Sequence, residues 1–445
     1  MEFSPHTDAD LERMLAVVGA ADLDGLFAHI PRGLVLDRVL DLPVGSSEDE
    51  VRRRLAGMAS ANHTEAVCFA GGGAYDHYVP AVVGALVGRG ELLTAYTPYQ
   101  PEMSQGMLQA LFEYQTVVCE LTGLPVSNAS LYDGGSAVAE AVSMACAATG
   151  RSRVVASTAV DRPSRTVLRT YARPVARAVS EVAYDWATGQ TPLFTVGDDV
   201  AAVVIQQPNA LGVVEDVRAH AEAAHAEGAQ LVVKLEPTSV GLLATPGSQG
   251  ADLVVGEGQP LGQGLVFGGP TFGFLACRRE QVRRLPGRVV GRTVDVEGRR
   301  GYVMTLRARE QDIRRERATS NICTNQTLNA VAALVYLTWL GPRGLVELAQ
   351  ACLARARHAA AALAAVEGVE LAVTGPFVKE FALRLDVGDP LAALAALHRA
   401  GYLVGPVVSD GPAAGAVLVA VTERRTRAEV EGLADAVERV VKEAR

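Results

Sequence analysis

Lysine is scarce in this chain of 445 residues, because only Lys234, Lys379 and Lys442 among its 41 basic residues are lysines. Any chemistry that needs a lysine amine is therefore limited to three positions. The cysteines form no CxxC pair, and no HExxH motif is present. Without such spacings the sequence predicts no metal site. We expect the six cysteines to be reduced and mostly buried, Cys323 among them.

Long apolar runs are also missing. No stretch reaches the roughly 18 residues that a membrane span needs, and the most apolar run, 330–340, is too short. The net charge of −9 argues against nucleic acid as a partner, because an acidic chain gains little from binding phosphates. The acidic N-terminus has no signal-peptide pattern, and no GxGxxG motif opens a helix after a strand. We expect a cytoplasmic protein that binds neither membrane, nucleic acid nor NAD.

The patterns along the chain change twice. Residues 1–60 read as an arm of short helices, with a capping box at Ser47–Glu50. Residues 61–325 alternate apolar, β-branched runs with helical segments, which predicts a large α/β domain around a parallel sheet. Residues 326–445 begin with a long helical stretch to about 366 and continue as a smaller C-terminal α+β domain. The predicted strands of the large domain include 153–156, 202–205, 230–233 and 253–255.

This order of domains is that of fold-type I enzymes that depend on pyridoxal phosphate, although other α/β enzymes share the pattern. The turn Tyr132–Ser136, just before a predicted helix at 137–148 within the Ala-rich helical segment 134–149, is compatible with a phosphate site, since a helix N-terminus attracts anions. A simple capped turn is the alternative. Such an enzyme also needs an acid for the pyridine nitrogen and a lysine for the imine.

Only one of these two groups is present. Glu236 ends a predicted strand, where the acid is expected. The lysine is expected some 20 residues further on, but the chain there has Gln259, and an amide cannot form an imine. Lys234 lies within the strand, too early for the imine. The pattern thus predicts the fold of a cofactor enzyme without a covalent cofactor on this chain.

A cofactor-enzyme fold without its lysine, taken together with several long sequence motifs, points to one protein family. The sequence resembles the glycine cleavage system P-protein family, and within it the alpha-type chain of organisms that divide the enzyme into two subunits. The likeness runs from about His6 to the last helix. The strings that carry it are 74–80 (AYDHYVP), 97–102 (TPYQPE), 104–106, 128–134 (NASLYDG), 255–262 (VGEGQPLG), 267–270 (FGGP), 318–326 (ATSNICTNQ) and 421–423.

The resemblance implies an enzyme subunit. A glycine dehydrogenase beta subunit would hold pyridoxal phosphate on its own lysine, at the position that matches Gln259 here. Two alpha and two beta chains would form the enzyme, which decarboxylates glycine and passes an aminomethyl group to the lipoylated H-protein. Covering loops from alpha would exclude water from the site in beta.

Candidate site residues follow from the same resemblance. We predict that Tyr99, Gln100, Glu102 and His77 take part in catalysis; packing between chains is the alternative for the loop, and a structural role for His77. The residues expected near substrate or cofactor are Thr97, Asn128, Tyr132, Gly134, Glu236, Gln259, Arg315, Asn321 and Thr324. For Arg315, with its neighbours Arg314 and Arg317, a solvated basic face is the alternative.

Some positions depart from the family pattern. Asp161 and Asp312 stand where the family usually has histidine, and the segment 405–408 matches loosely. Three alternatives therefore stay open: a catalytically silent scaffold, a paralogue recruited to another amino-acid decarboxylation pathway, and a free-standing lyase that uses Lys234.

Overall fold

The computed structural model describes residues 5–36, 38–266 and 268–444. Phe267, which begins one of the strings above, lies outside the described residues. The chain divides into two compact units, residues 1–64 and 65–445. The predicted domain boundary near residue 325 stays a prediction.

The first unit contains two capped helices, α1 (Asp8–Val18) and α2 (Glu48–Ser60). The predicted capping box before α2 is confirmed: Ser47 Oγ accepts a hydrogen bond from the Glu50 N–H, and the Glu50 carboxylate accepts one from the Ser47 N–H. Thr7 and Asp10 form the same arrangement at α1. No residue of this unit is buried among those described.

The second unit holds the remaining elements. Its strands are β1 (Val67–Ala70), β2 (Val126–Ser127), β3 (Arg153–Ser157), β4 (Ala178–Val182), β5 (Val200–Gln207), β6 (Gln230–Leu235), β7 (Leu253–Glu257), β8 (Gly273–Cys277), β9 (Val289–Val294), β10 (Arg300–Thr305), β11 (Val369–Leu371), β12 (Glu380–Leu385), β13 (Tyr402–Gly405) and β14 (Val417–Ala420). Its helices are α3 (Ala81–Val87), α4 (Gly90–Leu93), α5 (Gln105–Thr122), α6 (Gly134–Thr149), α7 (Arg162–Ala172), α8 (Val217–Ala226), α9 (Gln311–Arg314), α10 (Thr327–Ala364), α11 (Pro390–Arg399) and α12 (Arg427–Ala444).

Within the described residues, the largest sheet has seven strands in the order β2-β8-β7-β6-β5-β3-β4. The five strands from β4 to β7 in this sheet run parallel, and β8 is antiparallel to β7. All eight residues of β5 are buried, as expected for a strand that is covered by helices on both faces. This confirms the predicted parallel α/β sheet.

The long helical stretch after residue 326 is broken where the sequence suggested continuity. In α10, Gly341 has φ 64° and ψ 176°, and Pro342 follows it. The Gly341 backbone is not helical, and the proline has no N–H to continue the helical hydrogen bonds. Two helical segments therefore meet at this kink. By length and composition α10 would suit a membrane span, but Ala330, Ala333 and Tyr336 lie in the core of the large sheet's domain.

The C-terminal part carries an antiparallel sheet, β11-β12-β14, with α10, α11 and α12 packed around its core. The sequence predicts that residues 61–325, which include β1, lie in the large domain. In the structure β1 pairs in parallel with β13, a strand of the C-terminal part. After β1 comes the segment Gly71–Tyr78, in which the Tyr75 N–H donates a hydrogen bond to Gln259, just beyond β7. This segment therefore joins the two sheets at the carboxyl ends of the parallel strands.

Candidate functional site

A cavity of about 740 Å³ lies at the carboxyl ends of β3, β6 and β7. Its wall includes Asp133, Asp161, Lys234, Glu257 and Gln259. Parallel strands of an open α/β sheet present their carboxyl ends at one edge, which is where such folds bind ligands. The fold thus brings together residues that are more than 120 positions apart in the sequence.

Gln259 uses its whole amide in backbone contacts. Its Oε1 accepts a hydrogen bond from the Tyr75 N–H at 2.8 Å, while its Nε2 donates to the Tyr75 carbonyl at 3.0 Å and to the Gln263 carbonyl at 2.9 Å. The side chain is buried. A buried amide with both ends satisfied is an anchor for the chain around it. Gln259 therefore holds the segment Gly71–Tyr78 against the end of β7.

Glu236 already has a cationic partner. The Lys379 ammonium lies 2.8 Å from Glu236 Oε1, and both side chains are almost completely buried. The Thr238 and Ser239 N–H groups also donate to the carboxylate. Burial by itself would raise the pKa of Glu236, but Lys379 outweighs it and holds that pKa below the ordinary value. The pair is an ion pair in the protein interior, which is costly to break from one side.

His77 lies between Lys379 and Glu423. Its Nε2 is 2.9 Å from the Lys379 ammonium and its Nδ1 is 2.7 Å from Glu423 Oε2. An ammonium only donates, so Nε2 must be the acceptor and Nδ1 must carry the proton that Glu423 accepts. Burial and the lysine charge both lower the pKa of His77. His77 is thus a neutral member of a buried network, with both ring nitrogens engaged.

Tyr75 and Glu380 extend this network. The Tyr75 hydroxyl donates to Glu380 Oε2 at 2.9 Å, and the Gly72 N–H donates to Glu380 Oε1 at 2.6 Å. The Lys379 ammonium lies 3.9 Å from the centre of the Tyr75 ring, a cation–π contact. Burial raises the pKa of Glu380 to about 7. A continuous chain of polar contacts thus connects β12, the end of β6 and the segment Gly71–Tyr78.

The same network contains ligand types that metals use. Atoms of His77, Cys352 and Glu423 lie within 4.8 Å of one another. However, the Lys379 ammonium occupies one ring nitrogen of His77, and Glu423 occupies the other. A fixed positive charge at this distance opposes a second cation. The arrangement therefore does not favour a metal ion.

Carboxyl groups cover the N-terminus of α6. Asp133 caps the helix by accepting the Ser136 N–H at 2.8 Å, and Glu257 Oε2 accepts the Gly134 N–H at 3.0 Å. Glu257 also accepts from Thr271 Oγ1, and burial raises its pKa. Two of the first-turn N–H groups that would hold a phosphate in a cofactor enzyme are thus engaged with this chain's own side chains.

Lys234 is engaged as well. Its ammonium pairs with Asp161 and donates to Ser164 Oγ at 2.9 Å. Burial opposes the charge on Asp161, but the ammonium lowers the pKa of this carboxyl overall. Asp161, where the resemblance leads us to expect histidine, is therefore the counter-ion of Lys234. A lysine held in this way is not a free amine for an imine.

The loop Thr97–Glu102 displays its polar side chains. Tyr99, Gln100 and Glu102 are exposed, and Thr97 is half-buried. Two guanidinium groups lie over the Tyr99 ring, those of Arg288 at 5.5 Å and Arg307 at 5.0 Å from its centre. Both guanidinium groups restrain the ring, and Arg288 Nη2 also donates to the Tyr99 hydroxyl at 3.4 Å.

Arg288 connects this loop to another predicted site residue. Its guanidinium donates to Thr324 Oγ1 at 3.2 Å and to Asn325 Oδ1 at 2.7 Å, and is 96% buried. Asn321 and Arg315 lie exposed earlier on the same stretch. The structure thus brings Tyr99 and Thr324 together. It leaves Arg315 at the surface, without joining it to the cavity.

Two predicted positions are placed differently from expectation. Asn128 is fully buried and donates to the Pro286 carbonyl at 3.0 Å, so it does not reach the cavity mouth. Cys323, expected to be buried, is exposed, because it lies on the loop before α10. Tyr132 does line the cavity, and its hydroxyl accepts the Cys323 N–H at 3.0 Å.

Sequence reasoning missed Lys379, Glu257 and Arg288. One signal was available for Lys379: two adjacent charges, Lys379 and Glu380, stand at the start of β12, whose first four residues are buried, and charged residues are rarely buried without a partner. No local signal identified the partner, because Glu236 lies 143 residues away.

The residues of this cavity do not fit pyridoxal phosphate. Gln259, expected at the imine position, is a hydrogen-bonded amide. Glu236, expected to be the acid, lines a small pocket beside the cavity and is paired with the Lys379 ammonium. Carboxyl groups face the helix N-terminus where the phosphate would lie. The two lysines of this region are committed to Asp161 and Glu236. Each group that the cofactor would use is engaged within the chain.

Comparison with known proteins gives the family. A model of the glycine cleavage system P-protein matches residues 1–437. A probable glycine dehydrogenase (decarboxylating) subunit 1 of Geotalea uraniireducens is 47% identical, with 98% of this chain and 99% of the relative covered. The protein of the same name from Moorella thermoacetica is also 47% identical, with 97% of this chain and 98% of the relative covered.

Solved structures agree with this comparison. A crystal structure of glycine decarboxylase (P-protein) of the glycine cleavage system, in inhibitor-bound form, matches with TM-score 0.91 and 46% identity, covering 99% of this chain and all of that one. A Lactobacillus brevis glutamate decarboxylase matches with TM-score 0.68 at 13% identity over 92% of this chain and 96% of that chain. The second likeness shows the fold only, that of fold-type I pyridoxal-phosphate enzymes.

Proposed function

Since this chain belongs to the glycine cleavage system P-protein family, we propose that it is the alpha subunit of a two-chain glycine decarboxylase. In this enzyme the beta subunit holds pyridoxal phosphate on its lysine, and the present chain completes the site. The observation that carries the proposal is Gln259, the amide that we match to the missing lysine, whose carbonyl and NH₂ groups are both hydrogen-bonded within the chain. The relatives' designation as subunit 1 supports the existence of a partner.

The contribution of this chain is a pair of preorganised surfaces. Tyr99, restrained by Arg288 and Arg307, and the neighbouring exposed Gln100 and Glu102 form a polar surface that approaches the partner's site. Thr324 is tied to the same arginine. Polar groups that are fixed before the substrate arrives stabilise developing charge without a reorganisation cost.

Pyridoxal phosphate, when bound by the partner, supplies an electron sink for the carbanion that glycine forms on losing carbon dioxide. Tyr99 and Gln100 orient glycine and exclude water, which would otherwise protonate the carbanion. The acceptor is the lipoyl disulfide of the H-protein, whose arm enters between the two subunits. We propose that the protein acts in the cytoplasm of a bacterium or archaeon; the relatives named above are bacterial.

The test is reconstitution. Co-expression with a beta subunit should give a stable complex of both chains on gel filtration, with glycine–bicarbonate exchange that requires lipoylated H-protein. This chain alone should show no exchange, and borohydride should fix the cofactor on the beta chain only. A complex that forms without exchange of glycine would favour a paralogue with another substrate.

The alternatives have less support. Relatives over the full length are named as enzyme subunits, and no contact in the described residues favours a scaffold. A lyase that uses Lys234 conflicts with its pairing to Asp161 and Ser164. A borohydride-reducible adduct at Lys234 in the purified chain would revive that alternative.

A further inference from the structure

The cavity of this chain retains the shape of a cofactor site, and its size of about 740 Å³ is sufficient for a phosphorylated pyridine. Loss of the lysine removes only the covalent bond. A cavity that kept its acid and its phosphate site could still hold vitamin B6 phosphates by charge and hydrogen bonds. Two sets of side chains decide whether this second site is open: those that line the cavity, and Glu236 in a smaller pocket that shares Gly73, Lys234 and Glu257 with it.

At the acid, an internal cation takes the place of the pyridine ring. Glu236 is bonded to the Lys379 ammonium, which also donates to Thr238 Oγ1 at 3.0 Å and contacts His77. A ring nitrogen could reach Glu236 only by displacing the ammonium. The lysine would then be 96% buried without its carboxylate, which would weaken ligand binding on the order of a thousandfold.

At the phosphate end, two carboxyl groups are in the way. Glu257 and Asp133 accept the Gly134 and Ser136 N–H groups, two of the donors of the first turn of α6. The two backbone segments lie close together, since a Cβ at Gly134 would lie only 3.0 Å from the Glu257 N atom. A phosphate dianion would have to replace Glu257 and would then remain beside Asp133. Like charges at such separations oppose binding.

We propose that Lys379, Glu257 and Gln259 together seal this chain's own cavity against vitamin B6 phosphates, with the Lys379 ammonium as a built-in substitute for the pyridine ring. The three groups act at the three ends of the cofactor: ring nitrogen, phosphate and imine carbon. Because the other two groups remain, restoring the lysine at position 259 alone does not reopen the cavity. Lys379 is in this sense a positioning residue, which keeps Glu236 and the segment Gly71–Tyr78 in place.

The experiment uses the full-length chain, alone and with its beta subunit. Wild type, Gln259→Lys and the triple variant Gln259→Lys/Lys379→Met/Glu257→Ser are incubated with pyridoxal phosphate, reduced with borohydride and mapped by peptide mass spectrometry. All carry Lys442→Arg, because Lys442 is exposed and would form nonspecific adducts. We expect a pyridoxyl group at position 259 in the triple variant only. In the complex, peptide masses separate this adduct from the one on the beta chain.

A second probe avoids covalent chemistry. Pyridoxine phosphate, which cannot form an imine, should bind wild type more weakly than about 1 mM by calorimetry and should not raise its melting temperature. It should raise the melting temperature of Lys379→Met/Glu257→Ser, where its ring can pair with Glu236. The variant Lys379→Arg keeps the cation and should behave like wild type.

The outcomes are decisive without the partner. A pyridoxyl group at position 259 in Gln259→Lys alone, or submillimolar binding of pyridoxine phosphate to wild type, overturns the proposal. So does a triple variant that is folded by circular dichroism and gel filtration but takes up no cofactor. If the triple variant does not fold, the wild-type and Gln259→Lys results decide. None of these readouts depends on glycine decarboxylation, so failure of the exchange assay would leave them unchanged.

Discussion

His77 Nδ1 donates to Glu423 Oε2 at 2.7 Å, and this contact connects the segment before α3 to the end of β14. The ring is buried, and Glu423 also accepts the Tyr78 N–H at 2.7 Å. One carboxylate thus holds two neighbouring residues of the Gly71–Tyr78 segment. Burial would raise the pKa of Glu423, but the hydrogen bond from His77 outweighs it and lowers this pKa to about 2.

Replacement of Glu423 by Gln should destabilise the protein by about 1–3 kcal/mol, because it weakens a charge-assisted bond to a buried group. Glu431→Gln is the matched control: Glu431 pairs with Arg427 on the exposed surface of α12, and its loss should cost less than about 0.5 kcal/mol. Urea unfolding of both variants measures the difference. Equal stabilities would contradict the importance of the buried contact.

Protonation of Glu423 should lower the stability of the folded protein at acid pH. Its pKa is about 2 in the folded protein and 4.5 ordinarily, so its contribution to stability is present above pH 4.5 and is lost as the pH falls toward about 2. In Glu423→Gln this part of the acid sensitivity should disappear. The free energy of unfolding, followed from pH 6 to about pH 3, should therefore fall less steeply in the variant than in wild type.

Glu380 should give the opposite pH dependence. Burial raises its pKa from 4.5 to about 7, so the folded state prefers the protonated form. Its contribution to stability is complete below pH 4.5 and is lost as the pH rises through 7, by on the order of 2–3 kcal/mol. Glu380→Gln should flatten the loss between about pH 5 and pH 8. Chemical unfolding at several pH values tests this, and an unchanged slope would show that Glu380 is not the group.

Gly71 should tolerate no side chain. A Cβ at this position would lie 2.0 Å from Glu380 Oε1 and 2.8 Å from the Ala420 Cβ. Gly71→Ala should therefore destabilise by about 1–3 kcal/mol, as overpacked sites do. Gly84→Ala is the control: it lies in α3 with nothing within 4 Å of its Cβ, and should stabilise by up to about 1 kcal/mol. Thermal unfolding should give opposite signs, and two shifts of the same sign would count against the close packing at Gly71.

The exposed loop can be tested in the reconstituted enzyme. Gln100→Ala and Tyr99→Phe should each lower the exchange rate about 10–100-fold, because they remove polar groups that orient the substrate. Gln109→Ala, on α5, is the control and should keep full activity. Gel filtration checks that the complex persists. A loss of the complex, rather than of the rate, would indicate that the loop serves packing between chains.

Much of the fold was predictable because its signals are local. The apolar runs at 202–205 and 230–233 indicated buried parallel strands, and both are present. The helix predicted at 134–149 has those bounds. The kink in α10 was missed, since Gly341-Pro342 lies within a continuous apolar pattern. The pairing of β1 with β13 was missed because its strands are more than 330 residues apart.

The sequence alone determined that this chain has the fold of a pyridoxal-phosphate enzyme, lacks its lysine at Gln259, and belongs with the P-protein family; these properties depend on residue type and order. Only the tertiary structure decided what the remaining groups do. Glu236 was expected to be the acid of a cofactor site, yet it is the partner of Lys379. That pairing joins the end of β6 to the start of β12, and contacts between distant segments depend on packing that no local pattern encodes.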